Sequence, residues 1–157
     1  MLKVMSHIHF ICRGNVYRSR LAEAYAKSLL PQHTNLVITS SGIQANLNLD
    51  GDVEAAALAA LEAENIQNYL APTWRQTTQK ILDEADLLVF MNDTVYQDAC
   101  HAFQVQPDKC IVWHIKDIDG IYPLVKVEVD KLMNSYEKTP FYDEAISVDE
   151  HRSRNRN

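Results

Sequence analysis

The chain has 157 residues, of which 46% are hydrophobic and 23% charged, and its formal net charge is −6. This length and composition are typical of one globular domain, here expected to span residues 1–157, and the negative charge argues against nucleic acid or an anionic membrane as a partner. With no apolar run of about 20 residues, no leader-like start and only three cysteines, the sequence predicts a cytoplasmic protein rather than a membrane-spanning or disulfide-stabilised secreted one.

Hydrophobic patterning predicts that the chain opens with a strand followed by a helix. Residues 7–11 form a short apolar-rich run that suits a central strand buried on both faces. Residues 18–30 place apolar side chains at helical spacing, and the pattern stops before Pro31. The segment between them is therefore expected to be a tight loop that leads from a strand into a helix N-terminus.

The remaining segments continue the alternation of strands and helices. Further strands are predicted at residues 36–41, 87–91 and 110–115, and further helices at 53–64, 79–82, 93–103 and 125–136. Asp50 or Asp52 is expected to cap the helix at 53–64. Residues 150–157 are polar and basic and are expected to form a frayed tail.

Strands that alternate with helices at this pitch predict a single α/β domain. Its expected centre is a doubly wound, four-stranded parallel sheet with helices on both faces. In such sheets ligands bind beyond the carboxyl ends of the strands, where the winding direction reverses. The loop that follows the first strand is expected to occupy that place.

Residues 12–19, here called the anion loop, combine a cysteine and an arginine separated by five residues. Backbone N–H groups in such a loop, together with the dipole of the following helix, suit a dianionic phosphate or a similar oxyanion. One curl of backbone can bring the Cys12 thiol beneath the anion while the Arg18 guanidinium holds two of its oxygens. These two residues alone could equally be a buried strand-end cysteine and a surface helix arginine, because such pairs also occur by chance.

Three other residues of the anion loop favour the functional interpretation. Cysteine attacks as a thiolate, a form favoured at a helix N-terminus beside a cation, and the Ser19 hydroxyl can add a hydrogen bond to the sulfur. Gly14 suits a position where the backbone takes a positive φ or approaches the anion closely, and Asn15 is the non-glycine residue best able to follow it there.

The anion loop also carries a family signature. Residues 12–19 are Cys-Arg-Gly-Asn-Val-Tyr-Arg-Ser, and Leu-Ala-Glu-Ala follows at 21–24. This run closely resembles the opening signature of the low-molecular-weight protein tyrosine phosphatases. Four further segments are similar to the family and follow in the same order, at residues 39–42, 74–76, 84–91 and 113–117. The resemblance therefore covers about residues 6–120.

The resemblance implies a flavodoxin-like α/β domain that hydrolyses phosphotyrosine-containing proteins or other aryl phosphates through a phosphocysteine intermediate, without a metal ion or other cofactor. It implies Cys12 as the nucleophile, Arg18 as the clamp on the phosphoryl group, and Asp117 as the acid that protonates the leaving phenolate and then activates water. The residues expected to bind the phosphate are Arg13, Gly14, Asn15, Val16, Tyr17, Arg18 and Ser19.

The assignment of the acid leaves an alternative open. The family's proline after this aspartate is replaced by Ile118, and a second carboxylate follows at Asp119. Asp117 is preferred because it matches the family's pattern after the fourth strand. Asp119 is the other candidate, and both could be ordinary loop acids.

Several positions depart from the family's pattern. Tyr17 stands where many relatives carry a second cysteine, so a protective disulfide is not expected, and Arg20 replaces the usual proline at a cost expected to be small. Residues 45–49 lack the aromatic that often flanks the substrate ring, which leaves Tyr122 as the aromatic candidate beyond the acid. Arg13 is expected at the pocket rim, where it would influence substrate choice or simply be solvated.

Two other functions share these features. The chain could be a phosphate-binding module with little catalysis, or a thioredoxin-coupled arsenate reductase, a class that resembles this fold and opening loop but needs two further cysteines. Cys100 falls late in a predicted helix and Cys110 in a predicted strand, so both are expected to be core residues rather than a relay. The six histidines show no metal-ligand spacing, and no metal site is expected.

Overall fold

A computed structural model gives the structure of residues 6–31, 34–48 and 51–137. The predicted tail at 150–157 and the candidate cap Asp50 lie outside these residues. Within them the strands are β1 (His7–Cys12), β2 (Val37–Gly42), β3 (Leu87–Phe90) and β4 (Cys110–Val112). The α-helices are α1 (Arg18–Ser28), α2 (Ala55–Ala63), α3 (Gln79–Glu84), α4 (Asp93–Ala102) and α5 (Tyr122–Glu137), and short 3₁₀ helices lie at Ala45–Leu47, Gln67–Tyr69 and Pro107–Lys109.

The four strands form one parallel sheet in the order β2-β1-β3-β4. Phe10 in β1 is in register with Ser40 on one side and Val89 on the other. The chain therefore passes from β1 to β2 on one side and then crosses back to β3 on the other, which confirms the predicted doubly wound sheet. The anion loop leaves the carboxyl end of β1, at the reversal of winding where ligands bind in such sheets.

Alternating residues of the sheet build an apolar core on each face. On one face Ile8 and Phe10 are fully buried in a cluster with residues of α1, α2 and α5. On the other face Ile11, Leu88 and Phe90 are fully buried in a cluster with residues of α3 and α4. Burial on both faces explains why β3 is a continuous apolar run and why β1 is apolar-rich, with His7 and His9 as its polar residues. None of the described helices has the length and apolar character needed to cross a membrane.

The starts of α4 and α2 differ in how they are capped. Asn92 caps α4, because its side chain accepts a hydrogen bond from the Val95 N–H. The proposed Asp52 cap of α2 is wrong: Glu54 holds the N-cap position, and the Asp52 carboxylate instead accepts a hydrogen bond from Thr73 Oγ1 at 2.8 Å. Asp52 is thereby tied to a distant segment that local spacing does not reveal.

Strand β4 ends three residues earlier than predicted, yet the chain stays beside β3. The Trp113 N–H donates to the Phe90 carbonyl and the Ile115 N–H to the Met91 carbonyl, both at 2.8 Å. This irregular extension matters for the site, because it carries the chain to Asp117 along the edge where the anion loop lies.

A chain of polar side chains crosses the second face of the sheet. His9 is fully buried, with Nδ1 2.6 Å from Thr39 Oγ1 and Nε2 2.6 Å from Ser41 Oγ, and Ser41 Oγ lies 2.6 Å from Thr77 Oγ1. Burial, reinforced by the charges of His7 and Arg75, lowers the pKa of His9 from 6.5 to about 3. His9 is therefore held neutral in the folded protein.

This burial predicts a loss of stability in mild acid. Because the folded pKa of His9 lies below its unfolded value, its contribution is complete above about pH 6.5 and is lost as the pH falls towards 3. From pH 7 to 4.5 we expect this histidine alone to reduce the free energy of unfolding by about 2 to 3 kcal/mol. Urea unfolding across this pH range should show a shallower decline in the free energy of unfolding for His9→Gln than for wild type. The exposed control His114→Gln should show the same decline as wild type. Equal slopes in all three proteins would contradict the expectation.

Candidate active site

The anion loop folds around the Cys12 sulfur. The thiol is nearly buried, the Asn15 N–H donates to Sγ at 3.1 Å, and the Ser19 hydroxyl lies 2.9 Å from Sγ, so the expected contact between Ser19 and Cys12 is present. These two contacts hold Sγ in place at the base of the anion loop. The geometry thus puts the thiol of the last residue of β1 below the loop, at the wall of the cavity.

Asn15 holds the anion loop together. It adopts a positive φ of 56°, as its residue type allowed, whereas Gly14 does not. Its Nδ2 donates to Ser19 Oγ at 2.7 Å and to Ser40 Oγ at 2.8 Å, and its Oδ1 accepts from the Arg75 N–H at 2.8 Å. Every polar group of this side chain is bonded, which fixes the backbone N–H that faces the sulfur.

Other backbone groups of the anion loop remain open to an anion. Among the described residues, the N–H groups of Gly14, Val16 and Tyr17 donate to no backbone oxygen, and no side chain caps the start of α1. Orphan N–H groups at a helix N-terminus, with the positive end of the helix dipole, form an anion-binding site. The loop and the helix start therefore act together on the same ligand.

Arg18 is the buried cation of the site. Its side chain is 4% exposed, its Nη1 donates to the Ile115 carbonyl at 2.9 Å, and its Nε lies 3.8 Å from Asp117 Oδ1. A guanidinium has five N–H donors in a rigid plane, so one backbone contact orients the group while others remain able to hold two oxygens of a phosphate.

The two candidate acids differ in position. Asp117 lines the cavity above the anion loop and faces Arg18, and 62% of its side chain is exposed. Asp119 does not line this cavity. Of the two carboxylates, Asp117 is therefore the one that lies at the cavity.

These elements enclose a cavity of about 290 Å³. Arg13 reaches its edge, as expected for a rim residue, and pairs there with Asp98 of α4 at 3.3 Å. The cavity is lined by Cys12, Arg13, Gly14, Asn15, Val16, Tyr17, Arg18, Gln44, Leu47, Asn48, Glu54 and Asp117. Tyr17 is the aromatic residue among them, so the wall is largely polar apart from aliphatic side chains such as the 65% exposed Leu47.

Tyr122 does not belong to this wall, and its assignment as a rim aromatic is wrong. It is the first residue of α5, buried against Tyr25, and its hydroxyl donates to Glu64 Oε1 at 2.6 Å. Burial and the neighbouring Glu64 raise its pKa well above the usual range. The ring turns inward because the helix begins three residues earlier than predicted, with Pro123 in a first turn that needs no N–H donor.

The other two cysteines also differ from expectation. Cys100 is exposed on α4 and Cys110 is half-buried at the start of β4, so the prediction that both are core residues is wrong for Cys100. Burial raises the pKa of Cys110 to about 11, which keeps it protonated. Neither thiol lines the cavity around Cys12.

Gly42 is a site residue that its own sequence context did not single out. A Cβ at this position would lie 2.6 Å from the Arg13 carbonyl oxygen and 2.7 Å from the Asn15 nitrogen. The anion loop therefore rests directly on the end of β2, and only glycine permits that approach. The signal was present in the Ser-Ser-Gly run at 40–42, but its meaning depends on the partner backbone.

The burial of Arg20 is a further feature that the sequence did not reveal. Its side chain is among the largest that are completely buried, with 1% of the residue exposed.

Across the described part of the chain, no group of three or more His, Cys, Asp or Glu side chains is arranged to hold a metal ion.

Known proteins resemble this chain in sequence and in fold. A family model described as low molecular weight phosphotyrosine protein phosphatase matches residues 7–130. The chain is 32% identical over 88 residues to a Klebsiella pneumoniae protein provisionally named a low molecular weight protein-tyrosine-phosphatase, covering 56% of this chain and only 57% of that relative. It is 29% identical over 141 residues to arsenate reductase 1 of Bacillus cereus, covering 84% and 94%. A solved low molecular weight protein tyrosine phosphatase from Bacillus subtilis is similar with a TM-score of 0.68 at 26% identity, covering 84% and 97%.

Proposed function

The chain belongs to the low molecular weight phosphotyrosine protein phosphatase family, and we propose that it hydrolyses phosphotyrosyl proteins and other aryl phosphate monoesters through a phosphocysteine intermediate. The proposal rests on the position of Cys12 Sγ at the base of the anion loop. The sulfur is hydrogen-bonded to the Asn15 N–H and to Ser19, and Arg18 lines the same cavity. A thiolate below a phosphate site is the arrangement that in-line attack on phosphorus requires.

In the first step the Cys12 thiolate attacks the phosphorus. The S–P bond forms as the P–O bond to the phenol breaks, and Asp117 transfers its proton to the departing oxygen. Arg18 and the loop N–H groups stabilise the charge on the three remaining phosphoryl oxygens. Because Ile115 and Asn15 already orient these donors, little rearrangement is needed during the reaction.

The second step releases the product. Asp117, now a carboxylate, takes a proton from a water molecule whose oxygen attacks the phosphocysteine. The S–P bond breaks, inorganic phosphate leaves, and the Cys12 thiolate is regenerated. The same side chain thus acts first as acid and then as base, which its exposed position at the mouth of the cavity permits.

The proposed substrate class is tested by matched peptides that differ only in the phosphorylated residue. In buffer containing EDTA we expect release of phosphate from the phosphotyrosyl peptide and little release from the phosphoseryl peptide, because the phenolate is the better leaving group. Absence of turnover on the phosphotyrosyl peptide, or equal turnover on both, would contradict the proposed activity.

The role of Asp117 gives a separate prediction. Asp117→Asn should lower kcat by about 10²-fold on a phenyl phosphate with a poor leaving group, because general acid catalysis is lost. The deficit should shrink on p-nitrophenyl phosphate, whose leaving group needs less protonation. Asp119→Asn is the matched control and should stay within about twofold of wild type. If Asp119→Asn has the larger effect, the two assignments are reversed.

The arsenate reductase relative makes oxyanion reduction a second candidate. Such a relay would require Cys100 or Cys110 to reach the Cys12 sulfur, and neither lines its cavity. We therefore expect no thioredoxin-dependent arsenate reduction. A reductase activity that disappears in Cys100→Ser or Cys110→Ser would support that candidate instead.

A further inference from the structure

Arg20 joins three separate segments from inside the protein. It is the third residue of α1, and its guanidinium donates from Nη1 to the Asn15 carbonyl at 3.0 Å and to the Asp52 carbonyl at 2.7 Å. Its Nη2 donates to the Ala71 carbonyl at 2.5 Å. One fully buried side chain thus connects the anion loop with two segments that precede and follow α2.

This position is energetically demanding. Arg20 Nε is the buried side-chain N–H that lacks a hydrogen-bond partner within the described residues. Burial lowers the pKa of Arg20, an effect partly offset by Glu23, Asp52 and the Cys12 thiolate. A buried charge and an unpaired donor both cost stability, so an apolar side chain would satisfy packing more cheaply. The benefit of an arginine here must come from the carbonyls that it holds.

One of those carbonyls belongs to the residue that controls the nucleophile. Asn15 has a positive φ, its carbonyl accepts from Arg20, and its N–H donates to Cys12 Sγ. Rotation of the Asn15 backbone would weaken both contacts together. Arg20 therefore stabilises the loop conformation in which an N–H group faces the sulfur.

The second carbonyl belongs to the cavity wall. Two residues after Asp52, the Glu54 N–H donates to the Val16 carbonyl of the anion loop at 2.9 Å, and Glu54 lines the cavity. By holding Asp52 and Asn15 with the same Nη1 atom, Arg20 sets the distance between the wall and the loop.

We propose that Arg20 is a positioning residue of the active site, which fixes the Asn15 backbone above Cys12 and adds a buried positive charge beneath the anion loop. The proposal rests on the proposed role of Cys12 as nucleophile. Arg20 touches no reacting atom, and it acts through Asn15 and through the field that it contributes at the sulfur. Its removal should therefore change the reactivity of Cys12 and the binding of phosphate, in addition to lowering stability.

The test compares Arg20→Met and Arg20→Lys with a control of the same chemistry elsewhere. Lys109 also ties together backbone carbonyls, since its Nζ donates to Leu82 at 2.8 Å and Ala85 at 2.9 Å, far from the anion loop in the sheet. Lys109→Met removes a comparable cation–carbonyl bridge. This substitution should lower Tm without changing the reactivity of Cys12.

The readout is alkylation of Cys12 by iodoacetamide at pH 6.5, followed by peptide mass analysis, with and without inorganic phosphate. In Arg20→Met we expect alkylation to slow about tenfold and phosphate protection to weaken, because a displaced loop holds both the thiolate and the anion less well. Arg20→Lys should lie between this variant and wild type. Neither measurement requires turnover.

The proposal is overturned if folded Arg20→Met reacts at the wild-type rate with wild-type phosphate protection, even when its Tm is reduced. If Arg20→Met does not fold, Arg20→Lys decides, and wild-type behaviour in that variant overturns the proposal. A wild-type Cys12 that phosphate does not protect would contradict the proposed function itself, which separates the two failures.

Discussion

Cys12→Ser should lower the turnover of aryl phosphates by at least about 10⁴-fold, the largest effect expected of any single substitution in this chain. The serine oxygen would occupy the position of Sγ, within reach of the Asn15 N–H and Ser19. However, a hydroxyl is far less readily ionised than a thiol, so the nucleophile is lost while the loop remains. Steady-state assays on p-nitrophenyl phosphate measure the loss, and calorimetric titration should show that inorganic phosphate still binds.

Conservative replacement of the other cysteines supplies the control. Cys100 is exposed and Cys110 half-buried, and neither lines the cavity. Cys100→Ser and Cys110→Ser should retain turnover within about twofold of wild type. Residual activity of Cys12→Ser comparable to that of these variants would mean that another residue performs the attack.

Arg18→Lys has the second largest expected effect, a fall in kcat/KM of about 10²- to 10³-fold. A lysine keeps the charge but has no planar fork, so it cannot bond the Ile115 carbonyl and two phosphoryl oxygens at the same time. Because the donor is 4% exposed, water cannot take its place effectively. Inorganic phosphate should also inhibit the variant more weakly, and this measures anion binding separately from chemistry.

Arg13→Lys is the matched control for this arginine. Arg13 has a side chain that is 43% exposed and pairs with Asp98 at the surface, where ion pairs contribute little. We expect its replacement to change kcat/KM by less than about tenfold. Comparable losses in Arg13→Lys and Arg18→Lys would show that the cavity uses its two arginines alike and that Arg18 has no special role.

Local signals in the sequence were sufficient for the sheet and for the anion loop. Strands β1 and β3 are rich in apolar residues because both of their faces are covered, and α4 begins directly after Asn92 because that side chain caps the helix. The anion loop can be predicted from residues 12–19, which hold the thiol, Asn15 and the helix start, although the Asn15 side chain also bonds to the distant residues Ser40 and Arg75. The residues that form these features are neighbours in the chain, and so the sequence reveals them.

The features that the sequence did not reveal depend on distant backbone. Gly42 is needed because the Arg13 carbonyl and the Asn15 nitrogen would touch its Cβ, and Arg20 is buried because Asp52 and Ala71 bring their carbonyls to it. No periodicity encodes such contacts. Tertiary packing decided both positions, and both lie next to the anion loop.

Trapping of the reaction intermediate is the decisive test of Cys12 as the nucleophile. Wild-type protein is quenched with acid during turnover of an aryl phosphate and digested, and the peptides are analysed by mass spectrometry. We predict a phosphoryl group on the peptide that contains Cys12, and its absence from Cys12→Ser treated in the same way. Turnover with the phosphoryl group on a different residue would contradict this role of Cys12. So would the absence of a phosphoryl group from Cys12 in Asp117→Asn, the variant in which hydrolysis of the phosphocysteine should be slowed.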